Sequence, residues 1–275
     1  MRYTDADLRF LAQVLSGGDP RERDAYLRRW RQDPQRVEEH LDDDRIIRRL
    51  RADDQAVLEL SPRLLFTILL RRIRRDLAEI PYTVERVEPD GRLVVFDAGV
   101  VRDWLAAEEM FRYLVELLVS FERVETVTVH RTQPVREVRR LNTLNIDDMV
   151  ELAGLVEPPL QPLVFRRIGD LALFTSGLFG DAIASARRFP LAFAVSARGI
   201  RRRRLEDYEE AGRRFYRLAA DRFDESRPEL ARILARLADE FTIARKPLAV
   251  LSERYISWAR PGWAAGGLHP GGQLA

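Results

Sequence analysis

Apolar positions recur at helical spacings of three and four along most of the chain, and proline, glycine and short polar caps punctuate them. Thr4 is placed to cap a helix whose third position is Asp7 and whose apolar face holds Leu8, Leu11, Val14 and Leu15; Ser16-Gly17-Gly18 ends it. Asp19-Pro20 and Asp33-Pro34 open two further short helices, since proline suits the first helical position. Ser61-Pro62 opens a fourth, reaching about Ile80, in which Phe66, Leu69, Leu70, Ile73, Leu77 and Ile80 share one face. Arg71, Arg72 and Arg75 lie nearly opposite that face, with Arg74 on a flank, and are expected to form a basic ridge toward solvent.

The periodicity then changes from helical to alternating. Residues 82–87 and 92–96 flank Pro89-Asp90-Gly91, a strong turn signal, so a β-hairpin is expected there. Residues 124–129 alternate as a possible third strand, and a single helix is expected between them from about Arg102 to Phe121. Asn145 begins another helix that ends before Pro158-Pro159; with Pro162 these prolines mark the best internal boundary. Residues 163–175 are apolar nearly all round, as a central buried helix requires. Beyond them Leu205, Tyr208, Gly212, Phe215 and Ala219 form a helical stripe. Ser226 and Glu229 read as a capping box, and Lys246-Pro247 as the start of a last helix.

The pattern specifies a mainly α (α+β) fold: a multi-helix bundle with a small antiparallel β-hairpin or sheet inserted near residues 82–130. Its organisation reads as a helical N-terminal region over 1–157, a helical region over 158–260 packed with it as one unit, and a flexible glycine-rich tail over 261–275. The expected core includes Phe66, Leu69, Ile73, Leu77, Phe165, Ile168, Leu171, Phe174, Phe215 and Leu237.

Composition narrows the chemistry. The 275 residues are enough for a substantial core. The absence of cysteine excludes disulfides, thiolate metal sites and cysteine nucleophiles. No apolar stretch reaches the roughly 18 residues of a membrane span, and the first ten residues lack the apolar segment of a signal peptide, so a cytoplasmic protein without a membrane partner is expected. Lys and Arg total 46 against 44 acids, a net charge of +2. Lys246 is the only lysine, so arginine, which grips carboxylates and phosphates bidentately, supplies almost all of the positive charge.

No phosphate-binding glycine loop and no nucleophile elbow is present, and no cofactor is expected. His40, within Glu38-Glu39-His40-Leu41-Asp42-Asp43-Asp44, is spaced to share a helix face with Asp44, but a metal site needs a further ligand from a distant segment, so the run reads as a solvated acidic face and no metal site is assigned. His130 at a strand end is a general-base candidate without a partnering motif. Gly177 and Gly180 fit either a ligand approach or a helix–helix turn. Asp170, conspicuous in an apolar helix beside Arg166 and Arg167, is either a ligand-gripping acid or half of a structural ion pair. Three basic clusters stand out: Arg71, Arg72 and Arg75; Arg131, Arg136, Arg139 and Arg140; and Arg201, Arg202, Arg203 and Arg204 at a helix start, where cations oppose the helix dipole.

Residues 61–66 (Ser-Pro-Arg-Leu-Leu-Phe) and 166–174 (Arg-Arg-Ile-Gly-Asp-Leu-Ala-Leu-Phe) resemble a prokaryotic family with no assigned activity. The resemblance implies one architecture over most of the chain and brings no residue roles with it. The functional expectation is a non-catalytic interaction or regulatory protein whose arginines bind an acidic protein surface. The alternatives are a nucleic-acid-backbone binder and an enzyme acting on a phosphorylated or acidic small molecule near Arg166, Arg167, Asp170 and Asp181.

Overall fold

The computed structural model describes residues 3–87, 91–122, 126–131, 137–180, 183 and 203–256. Capping chemistry sets the first helices. In α1 (Asp5–Leu15) the Thr4 hydroxyl accepts from the Asp7 N–H and the Asp7 carboxylate accepts from the Thr4 N–H, a reciprocal capping box. Asp19 caps α2 (Pro20–Gln32). Asp33-Pro34 opens a 3₁₀ turn (Pro34–His40) instead of the third helix its spelling suggests. After it come α3 (Asp44–Ala52) and α4 (Asp54–Glu59), each started by an aspartate cap, and α5 (Pro62–Glu79), capped by Ser61.

The fully buried Asp7 ties two of these helix starts together. Its carboxylate accepts from the Ser61 hydroxyl at 2.7 Å and the Ser61 N–H at 2.8 Å, while the Ser61 hydroxyl accepts from the Leu64 N–H. One anion thus sits at the positive ends of both α1 and α5.

The expected hairpin forms from β1 (Thr83–Val87) and β2 (Gly91–Val95), with Val84 opposite Val94 and Arg86 opposite Arg92. The segment after it divides at Ala107 into α6 (Ala98–Ala106) and α7 (Glu108–Ser120), where one helix was expected. The third strand exists as β3 (Thr126–Arg131), but it pairs with β4 (Glu137–Asn142) in a second, separate hairpin. The arginine-rich spelling of β4 hid it, because Arg139 and Arg140 break the apolar alternation that marks a strand.

Asn145 caps α8 (Ile146–Leu155), accepting from the Asp147 and Asp148 N–H groups. A short 3₁₀ turn (Pro158–Leu160) leads into α9 (Gln161–Leu178), followed among the described residues by α10 (Leu205–Phe223), α11 (Pro228–Asp239), α12 (Phe241–Leu251) and a π-helical turn (Ser252–Ile256). Two starts differ from the sequence reading. Ser226 bonds back to the Phe223 carbonyl, so no capping box precedes α11. Pro247 lies inside α12, where buried packing compensates the one helical hydrogen bond that proline cannot donate.

The protein is thus mainly helical with small antiparallel hairpins. Helix α9 is the centre: it packs along α10 and also meets α7, α8 and α12, and α12 in turn meets α5 and α6. Ile168, Leu171, Ala172, Leu173 and Phe174 are buried on it, in one continuous apolar core with Leu70, Ile73, Leu114, Tyr216 and Phe241. Phe165 and Phe215 are only half-buried and lean on each other at 5.8 Å; the face α10 buries is turned toward Gly212, Tyr216 and Ala220. No helix among the described residues is long and apolar enough to cross a membrane.

Candidate functional site

The basic ridge of α5 does not stand open to solvent. The 3₁₀ turn, the loop after it and the first residue of α3 lie across the helix and bring three acids onto it. Arg71 bonds Glu38 at 2.7 Å and Asp42 at 2.8 Å, and Arg72 bonds Asp44 at 2.7 Å and Asp76 at 2.8 Å. Arg75 reaches Asp44 at 3.1 Å and the Asp42 carbonyl. These pairs neutralise Arg71, Arg72 and Arg75 inside the fold. The cause is long-range, since the acids lie about thirty residues earlier, beyond the reach of helical periodicity.

The same arrangement occupies the acidic segment. His40 ends the 3₁₀ turn whereas Asp44 begins α3, so the two share no helix face. The His40 ring instead packs on Tyr26 and Trp30. Among the described residues no three His, Asp or Glu side chains gather as a metal site. The void between Asp42, Asp43, Asp44, Arg72 and Arg75 measures about 10 Å³, room for one water at most.

Asp170 lies at the centre of the molecule. It is 4% exposed, and its Oδ1 accepts from the Tyr113 hydroxyl at 2.6 Å and the Tyr216 hydroxyl at 2.9 Å. Arg166, one turn earlier, places Nε 3.5 Å from the other carboxylate oxygen, donates to the Tyr113 hydroxyl, and stacks over that ring at 5.1 Å. Gly169 lets Tyr216 come this close, because a Cβ there would lie 2.6 Å from the ring. Burial raises the Asp170 pKa above the ordinary carboxylate value, outweighing Arg166 and the two hydroxyls. Burial first, then the Asp170 charge, raises both tyrosines far above theirs.

Arg167 turns away from this cluster, bonding Ser120 at 2.8 Å and lying 3.7 Å over the Phe121 ring. Arg166 and Arg167 therefore serve different neighbours. The acid joins α7, α9 and α10 through groups of the protein itself. Tyr113 and Tyr216 escaped the sequence reading because each occupies an apolar helical position where only its hydroxyl differs from a phenylalanine.

The segments carrying the other two basic clusters each reach the first turn of α8. Arg139 and Arg140 lie on β4, in register with Val129 and Thr128. The end of β4 is fastened to α8, where the Asn142 N–H donates to Asp148 at 2.8 Å. Arg203 bonds Asp147 in the same first turn of α8, and Arg204 begins α10, its N–H donating to Asp207 at 2.6 Å. Asp147, Asp148 and Asp207 are thus engaged, while Arg204 is exposed and enters no ion pair among the described residues. Arg201, Arg202, Arg131's side chain, Arg136 and Asp181 lie outside what is described, as do the side chains of His130, Arg139 and Arg140.

Sequence reading also missed that the single lysine is buried and paired. Lys246 on α12 is 5% exposed and pairs with Glu85 of β1 at 2.5 Å and with Asp97. Asp97 precedes α6 but makes no side-chain cap there; its carboxylate accepts instead from Lys246 and, at 2.5 Å, from the Thr83 hydroxyl. The clamp fastens β1 to the helical body. In the folded protein, Lys246 should be acetylated by an N-hydroxysuccinimide ester roughly a hundredfold more slowly than free Nα-acetyl-lysine in the same tube. The double variant Glu85→Gln, Asp97→Asn should remove most of that protection. Equal rates in the native protein would refute the clamp.

No protein-family model, curated protein or solved structure matches the chain.

Proposed function

We propose that the protein is a non-catalytic interaction or regulatory protein that binds an acidic protein surface through the arginines gathered where β4, the start of α8 and the start of α10 meet. The observation that carries this reading is the junction itself. The Arg203–Asp147 pair and the Asn142–Asp148 bond bring β4, which carries Arg139 and Arg140, and the described end of the second run, Arg203 and Arg204, to the same first turn of α8. The local acids there are already used by Arg203 and by backbone N–H groups. Four consecutive cations at a helix start gain only about 0–1 kcal/mol per exposed ion pair, too little for local stability to account for them. A partner carboxylate satisfies them better. The enclosure of Asp170, 4% exposed among Tyr113, Tyr216 and Arg166, argues in the same direction, since it keeps that acid away from a substrate in solution.

Binding of polyglutamate at two salt concentrations tests the proposal. The intact chain should bind, more weakly at the higher salt. A variant with Arg201, Arg202, Arg203 and Arg204 all changed to Gln should bind about tenfold more weakly with a shallower salt dependence. Its thermal midpoint should move by only about 4 °C or less. Absent binding at low salt, or equal binding by the variant, would reject it. Tighter binding to duplex DNA than to polyglutamate, lost in the same variant, would replace the acidic protein with a nucleic-acid backbone.

A further inference from the structure

A second surface, remote in sequence from those arginines, is built on the first hairpin. Strand alternation gives β1–β2 two faces. One holds Thr83 and Glu85, which the Lys246 and Asp97 clamp draws onto the helical body. The opposite face has the positions Tyr82, Val84, Val94 and Phe96, continued in register by the pair Arg86 and Arg92. It is left uncovered: Phe96 is 78% exposed, Val94 48% and Tyr82 39%, and the Tyr82 and Phe96 rings meet edge to face at 6.3 Å. A buried, doubly paired lysine thus holds one side of the hairpin while aromatic and aliphatic groups face water on the other. Solvent gives those groups no reason to be there.

We propose that this face and the free edge of β2 dock an extended strand of a partner protein in which apolar residues are accompanied by carboxylates. Three observations select that occupant. First, β2 pairs only with β1 among the described residues, and Gly91 to Val94 are all exposed. An open edge presents main-chain N–H and C=O groups that a polypeptide strand can pair and that a lipid surface or nucleic acid cannot pair in register. Second, the apolar positions along the face accept apolar side chains at alternate positions of an added strand. Third, Arg92 is exposed on the same face of β2 as Val94, and a carboxylate on the added strand complements its charge. The same charge argues against a second copy of this chain, because β2 laid beside β2 brings further arginines together.

Selection of a displayed library of random twelve-residue peptides against the full chain tests this proposal independently of the arginine junction above. Recovered peptides should alternate apolar residues with Asp or Glu. Arg92→Glu and Phe96→Ser should each weaken a recovered peptide by at least about tenfold. Both variants should keep the parent's circular dichroism spectrum, since both side chains are exposed, and should leave polyglutamate binding unchanged. Three results would overturn the proposal: no enriched peptides, enriched peptides lacking acidic residues, or affinities untouched by both substitutions. A dimer in light scattering that Phe96→Ser dissolves would assign the face to a second copy and overturn it as well.

Discussion

Replacing Asp170 with alanine should cost about 3–5 kcal/mol of folding stability, measured by urea unfolding. The substitution strands three groups at once: the Tyr113 and Tyr216 hydroxyls, which both donate to Oδ1, and Arg166, which faces Oδ2. Asp170→Asn should cost less, about 1–3 kcal/mol, because the amide oxygen still accepts from the tyrosines while its NH₂ faces a guanidinium. A loss below 1 kcal/mol for the alanine variant would mean that the cluster is not the junction of α7, α9 and α10.

The same acid gives a pH dependence of defined sign. Its pKa is raised in the fold above the ordinary 3.8. The folded state therefore holds the proton more tightly than the unfolded chain does. The stabilisation is complete below the unfolded value and is lost as pH rises through the folded one. The stability of the wild type relative to Asp170→Asn, whose side chain does not titrate, should therefore increase as pH is lowered from 7 toward 4. A flat or opposite trend would contradict the assignment of the raised value to burial.

The second large effect is expected at Gly212. Alanine there improves intrinsic helix propensity by about 1 kcal/mol. Yet Gly212→Ala should destabilise the protein by about 2–3 kcal/mol net, through overpacking. The reason is the ring of Phe241, which lies against the bare backbone of α10: a Cβ on residue 212 would stand 2.1 Å from Cε2 and 2.4 Å from Cζ. Phe241 is fully buried and cannot swing away. Phe241→Leu made in the Gly212→Ala background should recover part of the loss, so the double variant should be more stable than the sum of the singles implies. A stabilised Gly212→Ala variant would show that the ring has room to move.

These two positions mark how far the residues could be read alone. Asp170 was conspicuous as an acid in an apolar helix, and the need for a partner followed from burial; that the partners are Tyr113 and Tyr216, from helices 57 and 46 residues away, did not. Gly212 belonged to the right stripe, but the stripe was centred a fraction of a turn off, with Phe215 placed where Tyr216 packs. Arg71, Arg72 and Arg75 were placed opposite the apolar face of their helix, and the acids that cover them were legible only as a charged run near residue 40. The second hairpin was half seen, because β4 is spelled in arginines.

What the sequence determined by itself was local. Helix starts at Thr4, Asp19, Ser61 and Asn145 are set by side-chain oxygens that satisfy N–H groups two or three residues on. The pairing of β1 with β2 and the apolar faces of α5 and α9 follow from the same short-range rules. Only the tertiary structure decided how charge is distributed. It folded one acidic segment over the α5 arginines, buried the single lysine under β1, brought Arg203 to α8, and left Phe96 in water. Helical and strand periods report which way a side chain points from its own element. Ion pairing depends on which other element arrives within a few ångströms, and that is settled when the apolar faces pack.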